Sequence, residues 1–250
     1  MRSMCSRCTL TTICNSMLSR TTALLGEKSM TLLKSKRVIL FGIGGVGSWC
    51  AEALIRTGLT HLTIVDGDTV QASNLNRQLP ATQASLGMPK VEALKARLLE
   101  INPDAEIEAI HAYYGEKGMS KDGSFNFQLS TFNYIIDAID DVQAKTDLIL
   151  YASRVRGLKI FCSMGAALRL DPTQVTTGEL MSIKGDALAK AVRARMKKLD
   201  RYPSKKIRCV YSLEQAQRCE TRGSLMQVTA VFGMTLTSLV ISDITNQAKL

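Results

Sequence analysis

Short apolar runs alternate along this chain with stretches whose apolar residues recur at helical spacing. Arg37-Val-Ile-Leu-Phe41 reads as a strand. It runs into Gly42-Ile-Gly-Gly-Val-Gly47 and then a helix over 48–57 that Gly58 closes. Residues 61–66 read as a second strand ending on an acid. Strand, glycine turn, helix and strand make a βαβ unit, and such units imply a parallel sheet. Upstream, Leu24, Leu25, Met30, Leu32 and Leu33 predict one helix over 20–33. Downstream, a helix is expected over 91–101, stopped by Asn102-Pro103, and a strand over 106–110. Residues 115–128 read as a polar, glycine-containing surface loop. A strand over 134–137, a helix over 142–156 and a strand over 158–163 follow. The stretch 166–206 is mixed and strongly basic, and an apolar helix comes after it. The expected fold is α/β, a Rossmann-like, mostly parallel sheet with flanking helices.

Composition adds limits. The 250 residues are 46 % hydrophobic and 22 % charged, enough for one domain with a full core. Without an internal repeat or a low-complexity linker, residues 18–250 read as one domain behind a tail over 1–17. That tail is rich in Ser, Thr, Cys and Arg and has no apolar stretch of a secretory signal. Seven scattered cysteines read as reduced thiols, which points to the cytoplasm. Cys5 and Cys8 form a C-x-x-C pair, but no second pair completes a structural zinc site. The apolar stretch 225–241 is about one bilayer span long. It holds Gln227 and several Thr and Ser, which favours a buried core helix and leaves peripheral contact with the inner membrane open.

The chemistry begins at the glycine loop. Gly42, Gly44 and Gly47, with Gly45 between them, follow a strand and open a helix, the context in which G-x-G-x-x-G binds phosphates. Glycines let the backbone turn tightly and approach phosphate oxygens, and the helix N-terminus adds a favourable dipole. Asp66 lies 19 residues past Gly47, where a carboxylate accepts hydrogen bonds from ribose hydroxyls. To this point a dehydrogenase fits equally well. Arg77 and Lys90 break the tie, because nucleotidyl transfer needs cations against the charge building on phosphates and hydride transfer does not. Asp140, at the end of the fourth strand, is placed to hold Mg²⁺ beside them.

These residues resemble the ubiquitin-activating-enzyme-like (ThiF/MoeB-like) superfamily, whose members adenylate a carboxylate with ATP and Mg²⁺. The resemblance is carried by G-I-G-G-V-G-S at 42–48, D-G-D at 66–68, N-L-N-R-Q at 74–78, G-M-P-K at 87–90 and D-A-I-D-D at 137–141. Within it, the chain is similar to the branch of tRNA threonylcarbamoyladenosine dehydratases. That likeness rests on V-G-S-W-C-A-E-A-L-I-R-T-G at 46–58, E-I-N-P at 100–103, D-P-T-Q at 171–174 and C-V-Y-S-L-E at 209–214. The resemblance implies a ligase-like enzyme that adenylates the carboxylate of threonylcarbamoyladenosine in the tRNA anticodon loop and closes it into the cyclic form. It also implies that Gly44 and Gly47 line the phosphate loop and Asp66 the ribose. Asn74, Arg77 and Lys90 would address the phosphates, and Asp140 the metal. It carries expectations of a homodimer and of a sulfur-transfer partner, although ring closure needs no thioester and Cys209 reads as a buried, inert thiol. The stretch between Ser212 and Val228 looks short for a lid.

Charge points to the same partner independently. Lys and Arg number 32 against 22 Asp and Glu, a net +10, and a basic excess favours nucleic acid or nucleotide. Ten of these cations fall in 184–208: Lys184, Lys190, Arg193, Arg195, Lys197, Lys198, Arg201, Lys205, Lys206 and Arg208. Such a run suits RNA phosphates, and Tyr202 within it could stack on an exposed anticodon base. The competing readings are an adenylating activator of a ubiquitin-like sulfur-carrier protein, a nucleotide-binding scaffold without turnover, and a dehydrogenase.

Overall fold

The computed structural model describes residues 17–221 and 223–249. The tail reading and the Cys5–Cys8 pair therefore fall outside the described residues. Seven strands form one sheet in the order β3-β2-β1-β4-β5-β7-β6. They are β1 (Arg37–Phe41), β2 (His61–Val65), β3 (Glu106–Ile110), β4 (Tyr134–Asp137), β5 (Lys159–Ser163), β6 (Val175–Glu179) and β7 (Arg208–Ser212). All neighbours are parallel except β6, which pairs antiparallel with β7 at the edge. β1 to β3 wind outward one way and β4, β5 and β7 the other, so the winding reverses between β1 and β4. Ligands of open α/β sheets bind at such a switch point, beyond the strands' carboxyl ends.

The central strands are apolar on both faces because both faces are covered. On β1, Val38 and Leu40 enter one core, and Ile39 and Phe41 the other. The first core is closed by α1 (17–25), α2 (Glu27–Lys34), α3 (Gly47–Thr57), α4 (Lys90–Ile101) and α7 (Met226–Lys249). The second is closed by α5 (Val142–Ala152) and α6 (Ala187–Leu199).

Four expectations are corrected. The single helix over 20–33 is two, because Gly26 has φ +79 and ends α1. The helix over 142–156 stops at Ala152. Residues 115–128 are not simply a surface loop, because Phe127 is buried and packs edge-on to Phe41 at 5.2 Å. The mixed stretch 166–206 holds β6 and α6, and β7 follows at Arg208.

The C-terminal apolar stretch is a core helix on one face. Val228, Phe232, Leu236, Val240 and Ile244 of α7 are buried, and Thr237 Oγ1 donates to the Cys50 carbonyl of α3 at 3.2 Å. At Gly233 the two helices nearly touch. A Cβ there would stand 2.5 Å from the Val46 carbonyl oxygen and 2.9 Å from the Cys50 nitrogen.

Glu52 ties α3 to α4. It accepts from Arg56 Nε at 2.8 Å and from Arg97 Nε at 2.6 Å. Burial alone would raise its pKa, but the hydrogen bonds and charges of Arg97 and Arg56 outweigh it and hold the carboxyl below its ordinary value. A folded pKa below the unfolded one stabilises fully above the unfolded value and is lost as pH falls through the folded one. Glu52→Gln is therefore expected to lower the melting temperature by roughly 2–8 °C at pH 7. The gap from the wild type should close as pH falls below the ordinary carboxylate range, as scanning calorimetry across pH would show.

Candidate active site

The loop after β1 is built by close backbone approach. Gly42 has φ +81, and a Cβ on it would lie 2.8 Å from the Ala138 carbonyl oxygen of the loop after β4. A Cβ on Gly47 would lie 1.9 Å from the Gly42 carbonyl oxygen, so no other residue fits there. The loop is then pinned from both sides. Gly42 N–H donates to the Val65 carbonyl at 2.8 Å, and Ile43 N–H to Asp66 Oδ2 at 2.8 Å. Ser48 Oγ donates to the Gly44 carbonyl at 2.6 Å.

A cavity of about 490 Å³ opens above this loop. Gly42, Gly44, Gly45, Asp66, Asn74, Arg77, Lys90 and Asp140 all line it. Gly47 is the exception. Its Cα packs against the Gly42 carbonyl and the Leu40 side chain, which lets α3 start hard against β1. Asn74 reaches the wall, but its side-chain oxygen accepts from Gln71 N–H at 3.1 Å and closes its own turn. Trp49 Nε1 on α3 donates to the Arg77 carbonyl at 3.1 Å and sets the Arg77 loop. Arg77 Nη1 donates to the Ser73 carbonyl at 2.9 Å and to Asn76 Oδ1 at 2.8 Å, which steadies the guanidinium at the wall.

Lys90 is buried and donates to Asp68 Oδ2 at 2.6 Å, while Tyr113 Oη donates to Asp68 Oδ1 at 2.6 Å. Burial would raise Asp68, yet the Lys90 and Tyr113 hydrogen bonds and the Lys90 charge hold it below its ordinary value. The bond to Asp68 pushes the Tyr113 phenol up to about 12. Asp66 shifts the other way, raised chiefly by burial despite the nearby Lys90. Tyr113 lies flat over Gly67, whose Cβ would meet its ring at 2.5 Å, and Lys121 Nζ stands 5.3 Å from the ring centroid.

Asp68, Tyr113 and Lys121 were not among the residues singled out for the site. Asp68 was visible in the D-G-D run, whereas Tyr113 and Lys121 sit in loops whose sequence carries no recurrent signal.

The loop after β4 carries Asp140 to the cavity. Asp141 caps α5, accepting from Ala144 N–H at 2.7 Å. Beneath them Asp137 and Lys145 form a fully buried ion pair at 2.8 Å, and Asp137 Oδ1 accepts from Ile139 N–H at 3.1 Å. Burial pushes the Asp137 carboxyl up, opposed by Lys145. Cys162 and Cys209, paired across β5 and β7, are buried beside it.

The basic run divides in two. Arg193 donates to the Leu180 carbonyl, Arg195 pairs with Asp147 at 3.6 Å, and Lys205 donates to the Leu158 carbonyl. Those three serve the fold, whereas Lys184, Lys190, Lys197, Lys198, Arg201, Lys206 and Arg208 are exposed. Tyr202 does not reach the cavity. Its carbonyl is 3.5 Å from Arg154 Nη2, just past the end of α5 farthest from the site. A base held in the cavity therefore cannot stack on it.

Fold and cavity together define a nucleotide-binding α/β protein with cations and a carboxylate beside its phosphate loop. The chain belongs to the ThiF family, whose model matches residues 18–249. It is 37 % identical over 180 residues to the tRNA threonylcarbamoyladenosine dehydratase of Bacillus subtilis, covering 72 % of this chain and 68 % of that protein. The Escherichia coli protein of the same name is 36 % identical over 177 residues, or 71 % and 64 %. The chain thus spans about two thirds of these relatives' lengths. The crystal structure of the E. coli tRNA N6-threonylcarbamoyladenosine dehydratase, TcdA, in complex with ATP matches with a TM-score of 0.84 at 31 % identity, over 94 % of this chain and 96 % of that one. Its complex with AMP gives 0.85. The molybdopterin-synthase adenylyltransferase of Haemophilus influenzae is 33 % identical over 139 residues, or 56 % of this chain and 54 % of that protein.

Removing one partner of a buried ion pair strands the other charge. Lys145→Met is expected to cost about 3–5 kcal/mol in denaturant unfolding. Asp137→Leu with Lys145→Met should regain most of that stability. It should stay poorly active, because Ile139 N–H has lost its acceptor and the Asp140 loop its anchor.

Proposed function

We propose that this protein uses ATP to adenylate the carboxylate of threonylcarbamoyladenosine in tRNA, after which the group closes into its cyclic form. One observation carries the reading. The glycine loop, Arg77, Lys90 and Asp140 meet in one cavity, in a fold that matches an ATP-bound dehydratase over nearly its whole length.

In the first step a carboxylate oxygen bonds to the α-phosphorus of ATP. The bond from that phosphorus to the bridging oxygen breaks, and pyrophosphate leaves. Loop N–H groups and the α3 N-terminus hold phosphate oxygens. Arg77 and Lys90 offset the charge moving onto the leaving group. An ammonium has three donors, so the Lys90 bond to Asp68 leaves donors for phosphate. Mg²⁺ fits this donor set, since it takes one or two protein carboxylates and fills its other positions with phosphate oxygens and water. Asp140 would hold it, since it lines the cavity with the glycine loop, Arg77 and Lys90. Bound there, it would neutralise phosphate charge.

In the second step a nitrogen of the same group attacks the activated carbonyl carbon. The bond to AMP breaks, the nitrogen loses its proton, and the net change in the nucleoside is loss of one water. Holding both reacting atoms in one group makes the closure intramolecular. No thiol takes part, so a sulfur-transfer partner is not carried into the reading. Nor is a membrane surface, since Val228, Phe232, Leu236, Val240 and Ile244 of α7 are buried in the core. The homodimer implied by the superfamily stays part of the proposal.

The activator of a sulfur-carrier protein is the second reading. It draws on the molybdopterin-synthase adenylyltransferase match, which covers less of the chain than the dehydratase matches do.

The test is incubation with ATP, Mg²⁺ and tRNA bearing threonylcarbamoyladenosine, followed by mass spectrometry of the digested nucleosides. ATP-dependent loss of one water is expected. No mass change in protein that binds ATP would move the reading to the carrier-protein activator. Asp140→Ala and Lys90→Ala should each slow turnover by about a hundredfold or more, with tRNA binding retained in a filter assay.

A further inference from the structure

The exposed cations of the 184–208 run do not line the cavity. α6 begins at it: Leu188 lines the wall, and the Asp186 cap accepts from Gly165 N–H at 3.1 Å beside the end of β5. The helix has 13 residues and so runs about 20 Å away from the cavity. Ala189, Val192 and Met196 face the core. Lys190, Ala194, Lys197 and Lys198 are exposed, at spacings of three and four that put them along one outer face, and Arg201 is exposed just past the Asp200 cap that ends the helix.

That face continues past the helix. Ser204 Oγ donates to the Ser153 carbonyl at 2.5 Å, and Arg154 Nη2 reaches the Tyr202 carbonyl, which seats the segment after α6 on the foot of α5. Arg154, Arg156 and Lys206 are exposed there. The densest basic cluster is thus at the far end of α6, where no base held in the cavity can reach. Between Lys184 and Arg208 the exposed acid is Asp200.

We infer that this face, from Lys190 down α6 to Arg154, Arg156 and Lys206, holds the helical stem that continues from the tRNA anticodon loop while the loop occupies the cavity. The inference rests on the tRNA reading above. Three features favour a duplex over a single strand. The face is a straight track about as long as a short stem. Its Lys and Arg side chains suit phosphate contacts, which position the RNA without reading its sequence. A-form RNA is recognised through its backbone and shape.

The experiment compares wild-type protein with a variant reversed at Lys197, Lys198, Arg201 and Lys206 to Glu, and with the same four changed to Ala. Substrates are full tRNA and the isolated anticodon stem-loop, both carrying threonylcarbamoyladenosine. The wild type should use the stem-loop with a KM within about threefold of full tRNA. The reversed variant should raise KM for both RNAs tenfold or more, with ATP binding and melting temperature unchanged. The Ala variant should show a shallower dependence of affinity on salt, by about two to four in log–log slope, each phosphate contact contributing roughly 0.9. Unchanged KM and salt slope would overturn the inference. So would poor use of the stem-loop by the wild type, which would put the contact elsewhere on the tRNA. Loss of binding to phosphatidylglycerol vesicles with tRNA use intact would overturn it in favour of a membrane surface. A wild type that never dehydrates its tRNA contradicts the reading of function instead, so the two failures are distinguishable.

Discussion

The site depends on one close crossing of backbone. Gly42 runs so near Ala138, and Gly47 so near Gly42, that a methyl group at either glycine would overlap main-chain atoms. This crossing brings the end of β1 against the end of β4 at the reversal of sheet winding. It puts the phosphate loop and the Asp140 loop on the same cavity. Gly233 of α7 presses on the same region from the other side, against the Val46 carbonyl. A loop clamped in this way presents its N–H groups without further ordering, which is what a phosphate site needs.

Charge is arranged around that clamp with little slack. Lys90 is buried against Asp68, which Tyr113 also engages, so the cation waits in place beside the loop. Desolvating two charges offsets much of the attraction within the buried Asp137–Lys145 pair. Its clearer consequence is geometric: Asp137 also accepts from Ile139 and holds the turn that leads to Asp140. Exposed cations of the 184–208 run, by contrast, lie along α6 and beside the foot of α5, away from the cavity.

Much of this was legible in the sequence because short apolar runs and glycine spacing report backbone constraints directly. The first five strands were readable within two residues, and the loop at Gly42 was readable as a glycine turn between a strand and a helix. β6 and β7 were not. β6 is an edge strand whose five residues are all half-buried, so it lacks an apolar run. α6 was hidden because its lysines and arginines outnumber the three residues it buries. The break at Gly26 is a backbone event that leaves the apolar spacing intact. That Gly47 also sits hard against the Gly42 carbonyl was not readable, since a glycine kept for packing and one kept for phosphate approach have the same letter. Tyr113 and Lys121 come together only through tertiary structure, and the separation of Tyr202 from the cavity follows from a helix direction the sequence does not state.

The central claim is that the cavity transfers an adenylyl group to the substrate's carboxylate. It is tested most directly by labelling that carboxylate with ¹⁸O and following the label through one turnover. Attack at the α-phosphorus followed by ring closure carries one labelled oxygen into AMP, and the account predicts it there. Label in inorganic phosphate or pyrophosphate, or left entirely in the nucleoside, would contradict it.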